Sequence, residues 1–254
     1  MSTVTVTYVG GPTALLEYAG LRILLDPTFD PPQTYESDGE ALTKTAGPGV
    51  SVADLGPIDL ILLSHHEHED NLDFAGRELV RTTPTLSTAK AGVDLGKPVT
   101  GLDAWEEHRV GDVIVTAAPA LHGPPGVERL LGPVIGFLLE APGEPTVYVS
   151  GDNASLELVQ QIADRFPSID VAVLFAGAAR VPSIDAALTL TALDAAAAAR
   201  ILGSPAVVGL HSEDWAHFSE SRAELEAAFA GTVLLVDTPR GVPVALPLRL
   251  VREG

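Results

Sequence analysis

Residues 64–73 read SHHEHEDNLD and follow directly on the apolar run IDLILLS. Three histidines and four carboxylates fall within these ten residues. Imidazole and carboxylate groups at that density do acid–base work or hold a cation. The chain of 254 residues has no cysteine, so thiolate ligands and disulfides are excluded. Any metal would therefore be held by nitrogen and oxygen donors, a set that suits zinc, manganese or iron.

Ligand types recur at the ends of other apolar runs. Asp26 closes LRILLD, His65 follows LILLS, and His122 in ALHGPPG follows VIVTAAPAL. Asp152 in SGDN follows TVYVSG, and His211 in GLHSEDW follows AVVGL. Of the seven histidines, five sit at these exits, and only His108 and His217 do not. Taken singly, each has a plain structural reading: a solvated loop, a turn histidine, or a helix cap, with Asp70 or Asn71 capping the helix that follows. Read together, they predict one cation site, because strands that share a direction bring their exits to a common edge. Three neutral imidazoles and a carboxylate leave a coordination position open, and a divalent ion lowers the pKa of its water from 15.7 to about 7. Asp70 is then the catalytic candidate, placed to orient that water or take its proton.

The elements that must position these residues are short. TVTVTYV, TALLEYA and LRILLD, separated by glycine turns, predict an antiparallel opening. Residues 27–56 are rich in Pro, Gly, Asp and Thr and show no period long enough for an element; a segment of this kind is usually functional, often a lid. Beyond it, strand-like runs (IDLILLS, PTLST, DVIVTAAPA, VIGFLLE, TVYVSGD, VAVLFAG, AVVGL, TVLLVD, VALPLRLV) alternate with helix-like stretches. Helices are expected over about 71–80 and near AKAGVDLG. Three more are expected after Ser155, after Thr191 with Asp194 three residues on, and between Ser221 and Gly231 with Glu224 completing a capping box. One domain over residues 1–254 is expected.

The formal charge is -19, from 34 acidic and 15 basic residues, so phosphate backbones and anionic membranes would be repelled. No nucleic-acid partner is expected. No window approaches the roughly 18 apolar residues that cross a bilayer, and MSTVTVTYVGG lacks a basic start, which reads as a cytoplasmic protein.

The opening YVGGPTALLEYAGLRILLDPTFD, the cluster LLSHHEHEDNLD, and ALHGPPG, VSGDN and VVGLH resemble, in order and spacing, the metallo-β-lactamase superfamily of metallohydrolases. The resemblance is nearest to the branch of ascorbate-phosphate lactonases and phosphodiesterases of N-acyl lipids. It implies an α+β fold, a four-layer αβ/βα sandwich with two central mixed β-sheets flanked by helices, and one or two divalent ions in a cleft at the sheet edges, zinc foremost. On the HxHxDH-type motif, His66, His68 and Asp70 match the first three positions; alternatively His65, directly after the strand serine, is the first ligand. His122 matches the third histidine of the first site, Asp152 the carboxylate bridging two ions, and His211 the terminal histidine of the second site. Asn71 stands where the family usually has its last histidine, and GGPT where many relatives have a histidine before Ala-Thr.

The implied activity is hydrolysis of a small-molecule ester, lactone, amide or phosphoester by a metal-bound hydroxide. Lys44 is available to receive a substrate anion, and Trp215 and His217 to line the pocket. The alternative is a catalytically degenerate member that binds a metal or ligand as a sensor or accessory protein, supported by Asn71 and the absent early histidine.

Overall fold

Short apolar strands and one-sided helices must each bury a face, and two stacked sheets between two helical layers satisfy all of them at once. The computed structural model describes residues 3–36, 41–231 and 235–246. The chain opens with β1 (Thr5–Gly10), β2 (Thr13–Tyr18) and β3 (Leu21–Leu25), antiparallel as expected. There follow β4 (Gln33–Glu36), β5 (Ala41–Lys44), α1 (Val52–Leu55), β6 (Leu60–Leu62), α2 (Phe74–Val80), β7 (Thr85–Thr88), α3 (Ala89–Leu95) and β8 (Val99–Leu102). The second half has β9 (Glu107–Val110), β10 (Val113–Pro119), α4 (Glu128–Leu131), β11 (Ile135–Glu140), β12 (Val147–Val149) and α5 (Leu156–Arg165). It ends with β13 (Val171–Phe175), α6 (Ala192–Ile201), β14 (Ala206–Leu210), α7 (Arg222–Phe229) and β15 (Pro243–Ala245).

One sheet has the order β15-β1-β2-β3-β6-β7-β8 and the other β14-β13-β12-β11-β10-β9. Successive strand residues point to opposite faces, and β13 shows the consequence. Its Val171, Val173 and Phe175 enter the core between the sheets, with Leu16, Ile23 and Leu62 from the other sheet. Its Ala172 and Leu174 face outward against Val159 and Ile162 of α5 and Ala195 of α6. On the far side, Leu24 and Ile61 pack against Leu55, Val80 and Ala91 of α1, α2 and α3. This is the α+β four-layer αβ/βα sandwich.

Caps fall largely where the spacing predicts them. Ser155, Thr191 and Ser221 each accept a backbone N–H in the first turn of α5, α6 and α7, and Ser221 with Glu224 closes a full capping box. The cap of α2 differs from both candidates. It is Asp73, whose side chain accepts from Gly76 N, because Asp70 and Asn71 are drawn toward the strand exits instead.

The turn-rich segment holds more structure than its composition suggests. β4 and β5 pair with each other antiparallel, and Tyr35 and Leu42 pack on Trp215. Four-residue strands leave too little periodicity to read, and this pair is fixed by a partner far along the chain. β8 and β9 were not legible for the same reason. The strand readings TVLLVD and VALPLRLV fall largely on residues 232–234 and 247–251, outside the described residues. Within them, Val236 N bonds Val207 O, and β15 pairs with β1.

Strand direction places the site. β3, β6, β7 and β8 are mutually parallel, as are β12, β13 and β14. β10 shares the second set's direction, since it and β12 are both antiparallel to β11. The exits of β3 and β6 therefore meet those of β10, β12 and β14 across two facing sheets, rather than along one sheet edge. Among the described residues, no helix is long and apolar enough to cross a membrane.

Candidate metal centre

Backbone contacts bring the exits together. Ser64 N donates to Asp26 Oδ1 at 2.6 Å, tying the end of β6 to that of β3. Gly151 has φ +55, and a Cβ there would fall 2.8 Å from Ser64 Cβ, so only glycine lets β12 close on this turn. His211 is held at φ +58, an uncommon conformation for a residue with a side chain, of the kind that gathers at functional sites.

Two groups of ligand-type atoms result. His65, His68 and His122 each offer a ring nitrogen within 4.8 Å of the others, and Asp70, Asp152 and His211 do the same with two carboxylates and one imidazole. Asp152 joins the groups. Its Oδ2 lies 3.6 Å from His122 Nε2 and 4.0 Å from His65 Nε2, while its Oδ1 lies 3.5 Å from His211 Nε2.

Protonation follows from burial and neighbours. His122 Nδ1 lies 2.9 Å from the Leu188 carbonyl, which can only accept, so the proton sits on Nδ1 and the Nε2 lone pair faces Asp152. Burial, with His68 and His122 beside it, holds His65 well below the usual histidine range. Burial and His122 lower His68 likewise. Neutral imidazole is the form that binds metal. Burial pushes the Asp70 carboxyl up, but His217 at 2.9 Å and His211 at 3.3 Å outweigh it and keep Asp70 well below the carboxylate range. Burial lowers His211, yet Asp152 and Asp70 raise it further than burial depresses it. Asp26 is buried and pushed up to about 7, against the pull of the Ser64 backbone donor and with the charge of Asp152 adding to burial.

These residues fit divalent ions. Asp70 Oδ1 and Asp152 Oδ2 are buried with no hydrogen-bond partner among the described residues. A buried acceptor left unsatisfied costs about 1–3 kcal/mol, and a cation would remove that cost. Imidazole with carboxylate is a zinc-type donor set.

Other candidates lie elsewhere. His66 turns away from both groups: its Nε2 lies 3.0 Å from Asp94 Oδ2 and its Nδ1 3.2 Å from Glu67 Oε2. Of the two histidines left open in the motif, His65 is the one grouped with His68 and His122, with two residues between it and His68. Asn71 Nδ2 faces three acceptors, Asp26 Oδ2 at 3.3 Å, Ser64 Oγ at 3.4 Å and Asp152 Oδ1 at 3.2 Å. The amide nitrogen thus orients Asp152, while Asn71 Oδ1 is buried with no hydrogen-bond partner among the described residues. Lys44 does not reach the cleft. It is buried 3.0 Å from Asp73 Oδ2, with Trp215 packed beside it. Trp215 belongs to the cluster of Tyr35 and Leu42.

A pocket of about 320 Å³ opens over the centre. His68, Asp70, His122 and His217 form its floor, and Leu42, Leu130, Leu131, Val181, Ile184 and Leu188 line its walls. The wall residues were missed in sequence. α4 is four residues long, and Val181 and Ile184 sit in a loop, so no periodicity marks either.

Residues 21–212 match the family described as the beta-lactamase superfamily domain. The chain belongs to that family. The match takes in the second sheet, β3 to β8 of the first with the β4–β5 pair between them, and every residue of the two ligand groups. A metal-dependent hydrolase of the UPF0173 group from Anaeromyxobacter sp. (strain K) is 27% identical over 259 residues, covering 94% of this chain and 86% of that protein. A solved structure from Veillonella parvula DSM 2008, described as a possible metal-dependent hydrolase, aligns with TM-score 0.82 at 19% identity, covering 97% of this chain and all of that one. An isothiocyanate hydrolase from Delia radicum gut bacteria aligns with TM-score 0.81 at 22% identity, covering 95% and 98%. Among the solved structures this chain resembles is one from Bacillus subtilis described as a metallo-β-lactamase fold protein, with TM-score 0.61 at 15% identity, covering 96% of this chain and 99% of that one. At these identities the structural likenesses carry the fold alone.

Proposed function

We propose that this protein is a metal-dependent hydrolase that holds two divalent ions, zinc foremost, and cleaves a small ester, lactone or amide. The observation that carries the reading is the position of Asp152, one oxygen toward each ligand group. His65, His68 and His122 would hold one ion, and Asp70 and His211 the other, with Asp152 shared. When bound, the ions supply an acidified water and a Lewis-acidic contact for the carbonyl oxygen.

The chain's own residues do the rest. Burial keeps His65 and His68 neutral and available as donors. His217 and His211 keep Asp70 ionised, so its buried Oδ1 is available as an anionic acceptor that can orient water or face an ion. The Leu188 carbonyl and the Asn71 amide hold His122 and Asp152 in orientation before substrate arrives. The leucine-rich walls border the centre with apolar surface, which lowers the local dielectric and strengthens charge contacts beside it.

The test is elemental analysis of protein expressed with added zinc, followed by turnover of neutral esters, lactones, amides and an isothiocyanate, the last because one structural neighbour bears that activity in its name. Two ions per chain and cleavage of at least one substrate class are expected. Absence of bound metal would overturn the reading. The donor role of Asn71 favours a second reading, a metal-holding sensor or accessory protein, which metal binding without any turnover would support.

A further inference from the structure

From the pocket walls we infer that the substrate is an uncharged compound with a short apolar chain, and that phosphoesters are rejected. This rests on the hydrolase reading above and names the substrate class for the same site. The walls are made by Leu42, Leu130, Leu131, Val181, Ile184 and Leu188. Leu130 is the telling residue. It is 78% exposed on the pocket rim, and removing a leucine side chain from water is favourable, so α4 presents an apolar surface that nothing among the described residues covers. A ligand's hydrocarbon chain would cover it.

Charge argues the same way. Apart from the ligand groups and His217, the charged residue lining the pocket is Glu69, and among the described residues no Lys or Arg lines it. Lys44, the cation nearest in sequence to Leu42, is tied to Asp73 within the protein. Arg129 precedes Leu130 but lines a separate depression beyond His122. Phosphodiester recognition needs donors or cations for both non-bridging oxygens, commonly Arg or Lys. Here an anionic head would lie beside the Glu69 carboxylate, with no Lys or Arg among the described lining residues to offset its charge. A neutral carbonyl compound needs only one oxygen met, and its chain gains from the walls. The volume, about 320 Å³, lies at the small end of ligand pockets and suits a small substrate.

Calorimetry on the zinc-loaded protein tests this without turnover, using butanamide, pentanamide and hexanamide against hexyl methyl phosphate, which carries the same chain on an anionic head. The amides are expected to bind about fourfold more tightly per added methylene, and the phosphate at least tenfold more weakly than hexanamide. Leu130→Asp should weaken hexanamide about tenfold, and Leu130→Met should restore it; the side chain already lies in water, so folding is unaffected. Binding that ignores chain length, or hexyl methyl phosphate binding as tightly as hexanamide, would overturn the inference. If the amides bind as expected while no ester, lactone or amide is hydrolysed, the hydrolase reading falls and the ligand class stands. If bis(p-nitrophenyl) phosphate is cleaved and p-nitrophenyl hexanoate is not, hydrolysis stands and the ligand class falls.

Discussion

Asp152 Oδ1 lies 3.5 Å from His211 Nε2, although 59 positions separate the two residues (211 − 152) and β13 runs between their strands. The other oxygen of the same carboxylate faces His122 and His65, so one side chain serves both ligand groups. Asp152→Asn keeps the shape but replaces an oxygen lone pair and the negative charge by an N–H donor that meets ring nitrogens. Metal content should fall by at least one ion per chain, measured by elemental analysis after dialysis. Unchanged stoichiometry would remove the bridging role.

His65 and His66 are adjacent yet face opposite ways, the first toward His68 at 2.9 Å and the second toward Asp94 at 3.0 Å. His65→Ala should lose metal from the histidine group. His66→Ala should keep full metal content and cost little stability, because its partner Asp94 is largely exposed and solvent screens the pair. Paired metal analysis and urea denaturation separate these outcomes.

Lys44 and Asp73 form an ion pair in which both side chains are almost fully buried. The pair fastens β5 to the start of α2, and Leu42 of β5 reaches the pocket wall. Lys44→Met leaves the Asp73 charge with only the Gly76 and Asp30 backbone donors, and should destabilise the fold by about 3 kcal/mol. Thermal denaturation would register this as a clear drop in Tm. A loss below about 1 kcal/mol would show that the backbone donors alone stabilise the charge.

Acidification should destabilise the metal-free protein as pH falls below about 6.5. His65 and His68 have lowered pKa values in the fold, so below about 6.5 the unfolded chain takes up protons that the fold does not, and stability is lost as pH falls. Asp26, raised to about 7, opposes one of the two, since its protonated form is favoured in the fold. His211, being raised, changes stability above pH 6.5 and leaves this window untouched. Two groups against one leave a net slope of up to about 1.4 kcal/mol per pH unit. Denaturation of chelator-treated protein across pH 4–7 checks it, and stability that rises with acid would contradict these protonation states.

Ser221→Ala removes one half of the capping box on α7, whose Leu225 and Phe229 are buried in the outer layer. A loss of about 1 kcal/mol is expected by denaturation, with metal content unchanged.

Much of this was readable from residue types and spacing. The opening antiparallel strands, the caps at Ser155, Thr191 and Ser221, and the ligand types at strand exits are local features. Strand alternation, a hydroxyl before a helical turn and a carboxylate or imidazole after an apolar run all act over a few residues, so the sequence by itself determined them. The tertiary structure decided the directions. Which of His65 and His66 faces inward depends on the path of one loop residue. Asp73 rather than Asp70 caps α2 because Asp70 is claimed by His217 and His211 from the end of the chain. The β4–β5 pair and the leucine walls exist only against partners distant in sequence. Donor chemistry is a property of the residue, whereas the neighbours that turn a donor toward an ion, a salt bridge or a substrate are set only when the two sheets pack face to face.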